Sequence, residues 1–163
     1  MARYRMRQRL ISIGEDFVIE DAQGRPAFRV DGKVMRVRET FEITDLQGRE
    51  VVTVREKKLA IRDSMKLLRG GETLATVRKA LISPFGGRFG VEVEGGEELK
   101  VKGDILDHDY EIRRGGRTVA EVSRKWFTLT DTYGIDIAQG EDEGLILGVV
   151  VALDEMAHPD EKG

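Results

Sequence analysis

Along most of the chain apolar and polar residues alternate at every second position, and the alternation breaks at glycine-containing clusters spaced roughly 8 to 12 residues apart. The segment FEITDLQGREVVTVREK from Phe41 sets the pattern. Phe41 and Ile43 share a face, a turn covers Asp45 to Gly48, and Val52 and Val54 resume the alternation. Successive side chains of a strand point to opposite sides, so this is a hairpin with one buried and one wet face. The same arrangement recurs in FVIEDAQGRPAFRVDGK from Phe17, MKLLRGGETLATVRK from Met65, VEVEGGEELKVKGD from Val91 and YEIRRGGRTVAEVSRKW from Tyr110. The pairs Gly70–Gly71, Gly95–Gly96 and Gly115–Gly116 supply the positive φ that tight hairpin turns demand. This predicts about ten to twelve strands in a single domain over residues 1–163. So many strands leave aggregation-prone edges unless the sheet closes, so the expected fold is mainly β, a closed antiparallel β-barrel.

One stretch departs from the alternation. Glu141, Asp142 and Glu143 suit a helix N-terminus, and after them every position from Gly144 to Leu153 is apolar before Asp154, Glu155 and Met156. As a helix this run is apolar around its whole circumference and must be surrounded by protein or by lipid. Ten helical residues rise about 15 Å, half of a bilayer's hydrocarbon thickness of about 30 Å, so no transmembrane span is expected. A buried strand is the rival reading, because Val149, Val150 and Val151 have modest helix propensity. The helical reading makes the run the filling of the barrel. Beyond it Pro159 ends any helix, and residues 158–163 are expected to fray.

The chain has no cysteine, which excludes disulfides, thiol catalysis and cysteine-ligated zinc and fits a reducing cytoplasm. Its opening MARYRMRQRLISIGEDF has no apolar stretch of signal-peptide length, so a cytoplasmic location is expected, at most peripheral to a membrane. Two histidines are present. On a strand His108 would point away from its neighbours Asp107 and Asp109, so no metal or acid–base cluster is expected there, only a turn or strand-edge role; His158, beside Pro159, is expected in solvent. Glycine-rich SPFGGRFG from Ser83 lacks the Gly-Lys-Ser/Thr ending of a phosphate loop and reads as a hairpin turn, and no serine sits in a G-x-S-x-G elbow. No catalytic residue and no cofactor emerge, and a non-enzymatic role is expected.

Net charge is only -3, but residues 1–91 hold 19 Lys/Arg against 12 Asp/Glu, and the remainder holds 8 against 18. Arg3, Arg5, Arg7 and Arg9 alternate with apolar or neutral residues, so an extended segment would set four guanidinium groups on one face. Lys57, Lys58, Arg62 and Lys66 form a second cluster, and Arg113, Arg114 and Arg117 a third. Such clusters can hold membrane headgroups or nucleic acid, or be the solvated outer face of a strand. Aromatic residues make up just 6 %, and no stacking platform accompanies the arginines, which argues against single-stranded nucleic acid.

The strings KKLAIRDSMKLL from Lys57, ATVRKALISP, GDILDHDYEI from Gly103, VAEVSRKWF from Val119, DTYGIDI from Asp131 and the terminal EDEGLILGVVVALDEM follow in order along nearly the whole chain. In this the chain resembles the LURP-one-related family of bacteria and plants, which belongs with the tubby C-terminal domains and the phospholipid scramblases. The resemblance implies a closed barrel of about twelve strands around a central hydrophobic C-terminal helix. Tubby domains bind phosphoinositide headgroups, scramblases act on lipids, and plant relatives are linked to defence. A binding or scaffolding domain for an anionic ligand, such as a phospholipid headgroup, is the function it implies; a protein partner in a stress or envelope response is the alternative. The segment DTYGIDIAQGEDEG from Asp131 also resembles the calcium-associated part of scramblases before their last helix. Asp131, Asp136, Glu141 and Asp142 would then be the oxygen ligands of a calcium-responsive, scramblase-like site, although their spacing is not that of an EF-hand.

Overall fold

A computed structural model of the chain describes residues 2–7, 16–35, 38–56, 64–79, 89–126 and 132–157. Its strands are β1 (Ala2–Arg7), β2 (Asp16–Asp21), β3 (Pro26–Met35), β4 (Arg38–Asp45), β5 (Glu50–Glu56) and β6 (Ser64–Arg69), then β7 (Glu72–Lys79), β8 (Phe89–Val93), β9 (Leu99–Asp104), β10 (Asp109–Arg114), β11 (Arg117–Ser123) and β12 (Thr132–Ile137). Each pairs antiparallel with its neighbours in sequence, and β1 closes the barrel on β12, with Ala2 opposite Ile137 and Arg7 opposite Thr132. The hairpins expected from Phe17, Phe41, Met65, Val91 and Tyr110 are β2–β3, β4–β5, β6–β7, β8–β9 and β10–β11. Alternation aims Phe17, Ile19, Val30, Phe41, Ile43, Val52, Val54, Leu67 and Val77 inward, and all are buried.

The two ends of the barrel differ. At one end the strands join through tight turns in which Gly24, Gly48, Gly70, Gly71, Gly95 and Gly115 take positive φ. At the other end lie the strand termini joined by connections 8–15, 36–37, 57–63, 80–88 and 127–131, which fall outside the described residues. The SPFGGRFG turn belongs to these connections up to Arg88, and His158 and Pro159 lie outside the described residues as well.

Helix α1 (Glu143–Ala157) runs through the interior, and Gly144 to Leu153 are buried without exception, as a helix apolar on all sides requires. The rival strand reading is thereby set aside. No helix among the described residues is long and apolar enough to cross a membrane. The helix lies close to the wall formed by β5 and β6, because Gly144 and Gly148, one turn apart, present no side chain there. A Cβ on Gly148 would sit 3.0 Å from Val52 Cγ1, and one on Gly144 would collide with Val51 Cγ1.

The N-terminal turn of α1 is held from several sides. Arg114 donates to both carboxylate oxygens of Glu141, at 2.6 and 2.7 Å. Arg69 makes a two-point contact with Asp142 at 3.0 Å, and Tyr4 Oη donates to Glu143 at 2.5 Å. Asp142 Oδ1 also accepts from Leu145 N, the cap that the acidic run predicts.

The C-terminal end is held by His108, which takes the turn role expected of it but is buried there rather than left at an edge. His108 occupies the turn between β9 and β10 with φ of 52°, a left-handed conformation, and its ring is 1 % exposed. The turn swings the imidazole into the barrel, whereas its neighbours Asp107 and Asp109 stay exposed. Nε2 donates to Asp154 Oδ1 at 2.8 Å, the ring stacks on Tyr133 at 4.0 Å, and Nδ1 faces Arg124 Nη2 at 3.5 Å. This is how the helix continues past Leu153 through Asp154: the carboxylate enters the barrel beside a donor. Burial, and then the Asp154 charge, push the Tyr110 and Tyr133 hydroxyls well above their usual pKa.

Candidate functional site

The clustered cations part company once folded. Arg3 and Arg5 do share the outer face of β1, as alternation requires, but each meets a carboxylate on a neighbouring strand. Arg3 donates to Asp136 Oδ1 and Oδ2 at 2.6 and 2.8 Å, which raises the guanidinium pKa, and lies 4.4 Å from the centre of the Trp126 ring. Arg5 is ion-paired with Glu20. Arg7 ends β1, and Arg9 lies outside the described residues. In the third cluster Arg114 and Arg117 both approach Glu141, and Arg113 donates to Gly116 O at 2.7 Å.

The acids proposed for calcium are the partners of these cations. Asp136 is held by Arg3, Glu141 by Arg114 and Asp142 by Arg69, and the Arg69 hydrogen bonds lower the Asp142 pKa. Among the described residues no three His, Cys, Asp or Glu come together as a metal site; Asp131 lies outside them.

The second cluster behaves differently. Lys57, Lys58 and Arg62 lie outside the described residues, in the connection that joins Glu56 to Ser64, but Lys66 is placed on β6. Its register partner on β5 is Arg55, which sequence reading passed over. Between inward-facing Val54 on one strand and Met65 and Leu67 on the other, both cations point outward. The same ladder row continues to Thr40 on β4 and Thr76 on β7, both nearly buried. Like charges directly opposite each other on a sheet repel. Among the described residues neither Arg55 nor Lys66 has a carboxylate partner, unlike Arg3, Arg5, Arg69, Arg78 and Arg114. No spacing rule pairs positions 55 and 66; only the hairpin register brings them together.

A closed β-barrel threaded by its own C-terminal helix, with the cations displayed on the outer wall, defines a tubby-like barrel domain. The chain belongs to the LURP-one-related family, whose model matches residues 2–154. It is 25% identical over 158 residues to the Bacillus subtilis (strain 168) protein described as "Uncharacterized protein YxjI", covering 96% of this chain and 94% of that one. An X-ray structure of a protein from Arabidopsis thaliana shares the fold, with a TM-score of 0.70 over 96% of this chain and 91% of that chain, at 23% sequence identity.

Proposed function

We propose that the domain is a non-enzymatic binding module that recognises an anionic ligand, a phospholipid headgroup at a membrane surface, through the outer wall of β5 and β6. The observation that carries this reading is the Arg55–Lys66 register pair, two cations opposite each other with no described carboxylate between them. An anion that bridges them relieves their repulsion, and each basic residue near an anionic surface contributes about 1 kcal/mol. Lys57, Lys58 and Arg62 are a few residues away in sequence and would add to the same attraction. Arg3 and Arg5, already neutralised by Asp136 and Glu20, contribute little to it.

The test is co-sedimentation with phosphatidylcholine vesicles containing an anionic phospholipid, at low and at moderate salt. Wild-type protein should pellet with the vesicles and be released as salt rises. Arg55→Glu with Lys66→Glu should abolish pelleting while leaving the melting curve intact. Failure of the wild type to bind at either salt overturns the reading.

A further inference from the structure

Beside the Arg55–Lys66 pair the same wall carries two unused hydrogen-bond donors. Ser64, two residues before Lys66 and on the same face of β6, is 3 % exposed, and its hydroxyl has no hydrogen-bond partner. Directly across the ladder from it stands Arg78 on β7. Arg78 Nε is buried and likewise makes no hydrogen bond; it lies 3.3 Å from Glu92 Oε1, an ion pair angled so that the N–H is left over. A buried donor with no acceptor carries the full desolvation penalty of that group. Two of them in one register pair, next to two cations with no carboxylate partner among the described residues, make a set of donors that lacks its acceptor.

We propose that Ser64, Lys66, Arg55 and Arg78 form a binding site for a phosphate monoester group on the outer wall of β5 to β7. The proposal rests on the anion-binding reading above and narrows it from a charged surface to a discrete site. Residues two apart on a strand stand about 7 Å from each other, and register partners about 5 Å. A patch of that size, with long flexible Lys and Arg side chains at its corners, is matched to one tetrahedral anion rather than to a sheet of charge. A phosphate monoester offers several oxygens in different directions, so it can accept from a hydroxyl, an ammonium and a guanidinium at once. A carboxylate has two coplanar oxygens and leaves part of the set unused. Lys66 and Arg78 are half-exposed, so the anion enters from the solvent side. The source of the phosphate, a free phosphorylated small molecule or a lipid headgroup, shares this chemistry.

The discriminating variant is Ser64→Ala, which leaves the charge of the wall unchanged. Binding of inorganic phosphate to the full chain is followed by calorimetry and by the rise in melting temperature that a ligand of the folded state produces. Phosphate should bind the wild type and raise its Tm. In Ser64→Ala the affinity should fall about tenfold or more, and the rise should shrink. Without phosphate the variant should be at least as stable as the wild type, since it loses a hydroxyl that has no partner. In parallel, vesicles containing phosphatidic acid are compared with vesicles containing phosphatidylserine at matched surface charge. Preference for phosphatidic acid identifies a lipid source; phosphate binding without vesicle preference identifies a soluble one. If Ser64→Ala binds phosphate as the wild type does, the discrete site is wrong. The broader reading still stands in that case, provided the Arg55 and Lys66 reversals abolish vesicle binding. If those reversals change nothing, both readings fall together.

Discussion

Asp21 and Asp45 solve the same turn in the same way. In the repeated Asp-x-Gln-Gly-Arg, one carboxylate oxygen accepts from the backbone N–H two and four residues ahead, while Gly24 and Gly48 take φ of 83° and 84°. The hydrogen bond from the Arg25 or Arg49 backbone is the first reason that each aspartate is held below the usual carboxylate range. Glu50 is lowered by the Gly70 N–H and by Thr53, and Asp142 by Arg69. All four folded-state values lie below the unfolded ones. Their contribution is therefore complete above about pH 4 to 5, and is lost as pH falls through the lowered values. Urea midpoints measured from pH 6 down to pH 2 should decline in that acid range, and Asp45→Asn should flatten part of the decline. These turns are legible in the sequence, because Asp, Gly and their spacing are the whole mechanism. The pairing of Arg3 with Asp136 is not, because the partners are 133 residues apart and meet only when β1 closes on β12.

The helix was the most legible element, since a short run apolar on every side has few places to go. Its depth makes a sharp prediction. Val150 is 0 % exposed, so Val150→Asp buries a charge among aliphatic side chains and should leave the protein unfolded or insoluble, as read by circular dichroism and size-exclusion chromatography. A folded, soluble variant would contradict the threaded barrel. The glycines report finer packing. Ala is intrinsically better than Gly in a helix by about 1 kcal/mol, whereas overpacking costs about 1–3 kcal/mol. Gly148→Ala, with its new methyl 3.0 Å from Val52 Cγ1, should come out near neutral. At Gly144, where the methyl would meet Val51 head-on, the substitution should lower Tm by about 3 to 6 °C. The far end of the helix escaped sequence reading for a definite reason. The turn in DILDHDY is legible, but the left-handed conformation at His108, rare outside glycine, and its meeting with Asp154, 46 residues away, are not.

For the molecule as a whole, closure is the property on which everything else depends. Deleting residues 1–7 removes β1 with Arg3, Tyr4 and Arg5 and bares the edges of β2 and β12, so the truncated chain should aggregate on expression. Recovery of a monomeric, cooperatively melting truncation would count against a closed sheet. The hydrophobic pattern announced the barrel, because alternation and turn spacing are local. The linear charge asymmetry does not carry over as such, because the basic and acidic stretches of the sequence become neighbours in space. Arg114 and Glu141, or Arg69 and Asp142, cancel at the barrel mouth what the linear count sets apart. Among the described residues the Arg55–Lys66 pair is not cancelled in this way, and it is visible only once two strands are aligned.

Barrels of this girth elsewhere often serve as containers, taking a small hydrophobic molecule into the space that the strands enclose. Here the container was filled at synthesis: α1 occupies the place of a cargo and is tethered at both ends, by Arg69, Arg114 and Tyr4 at one mouth and by His108 at the other. The outward-facing alternate residues can then change without disturbing the helix that the inward-facing ones enclose.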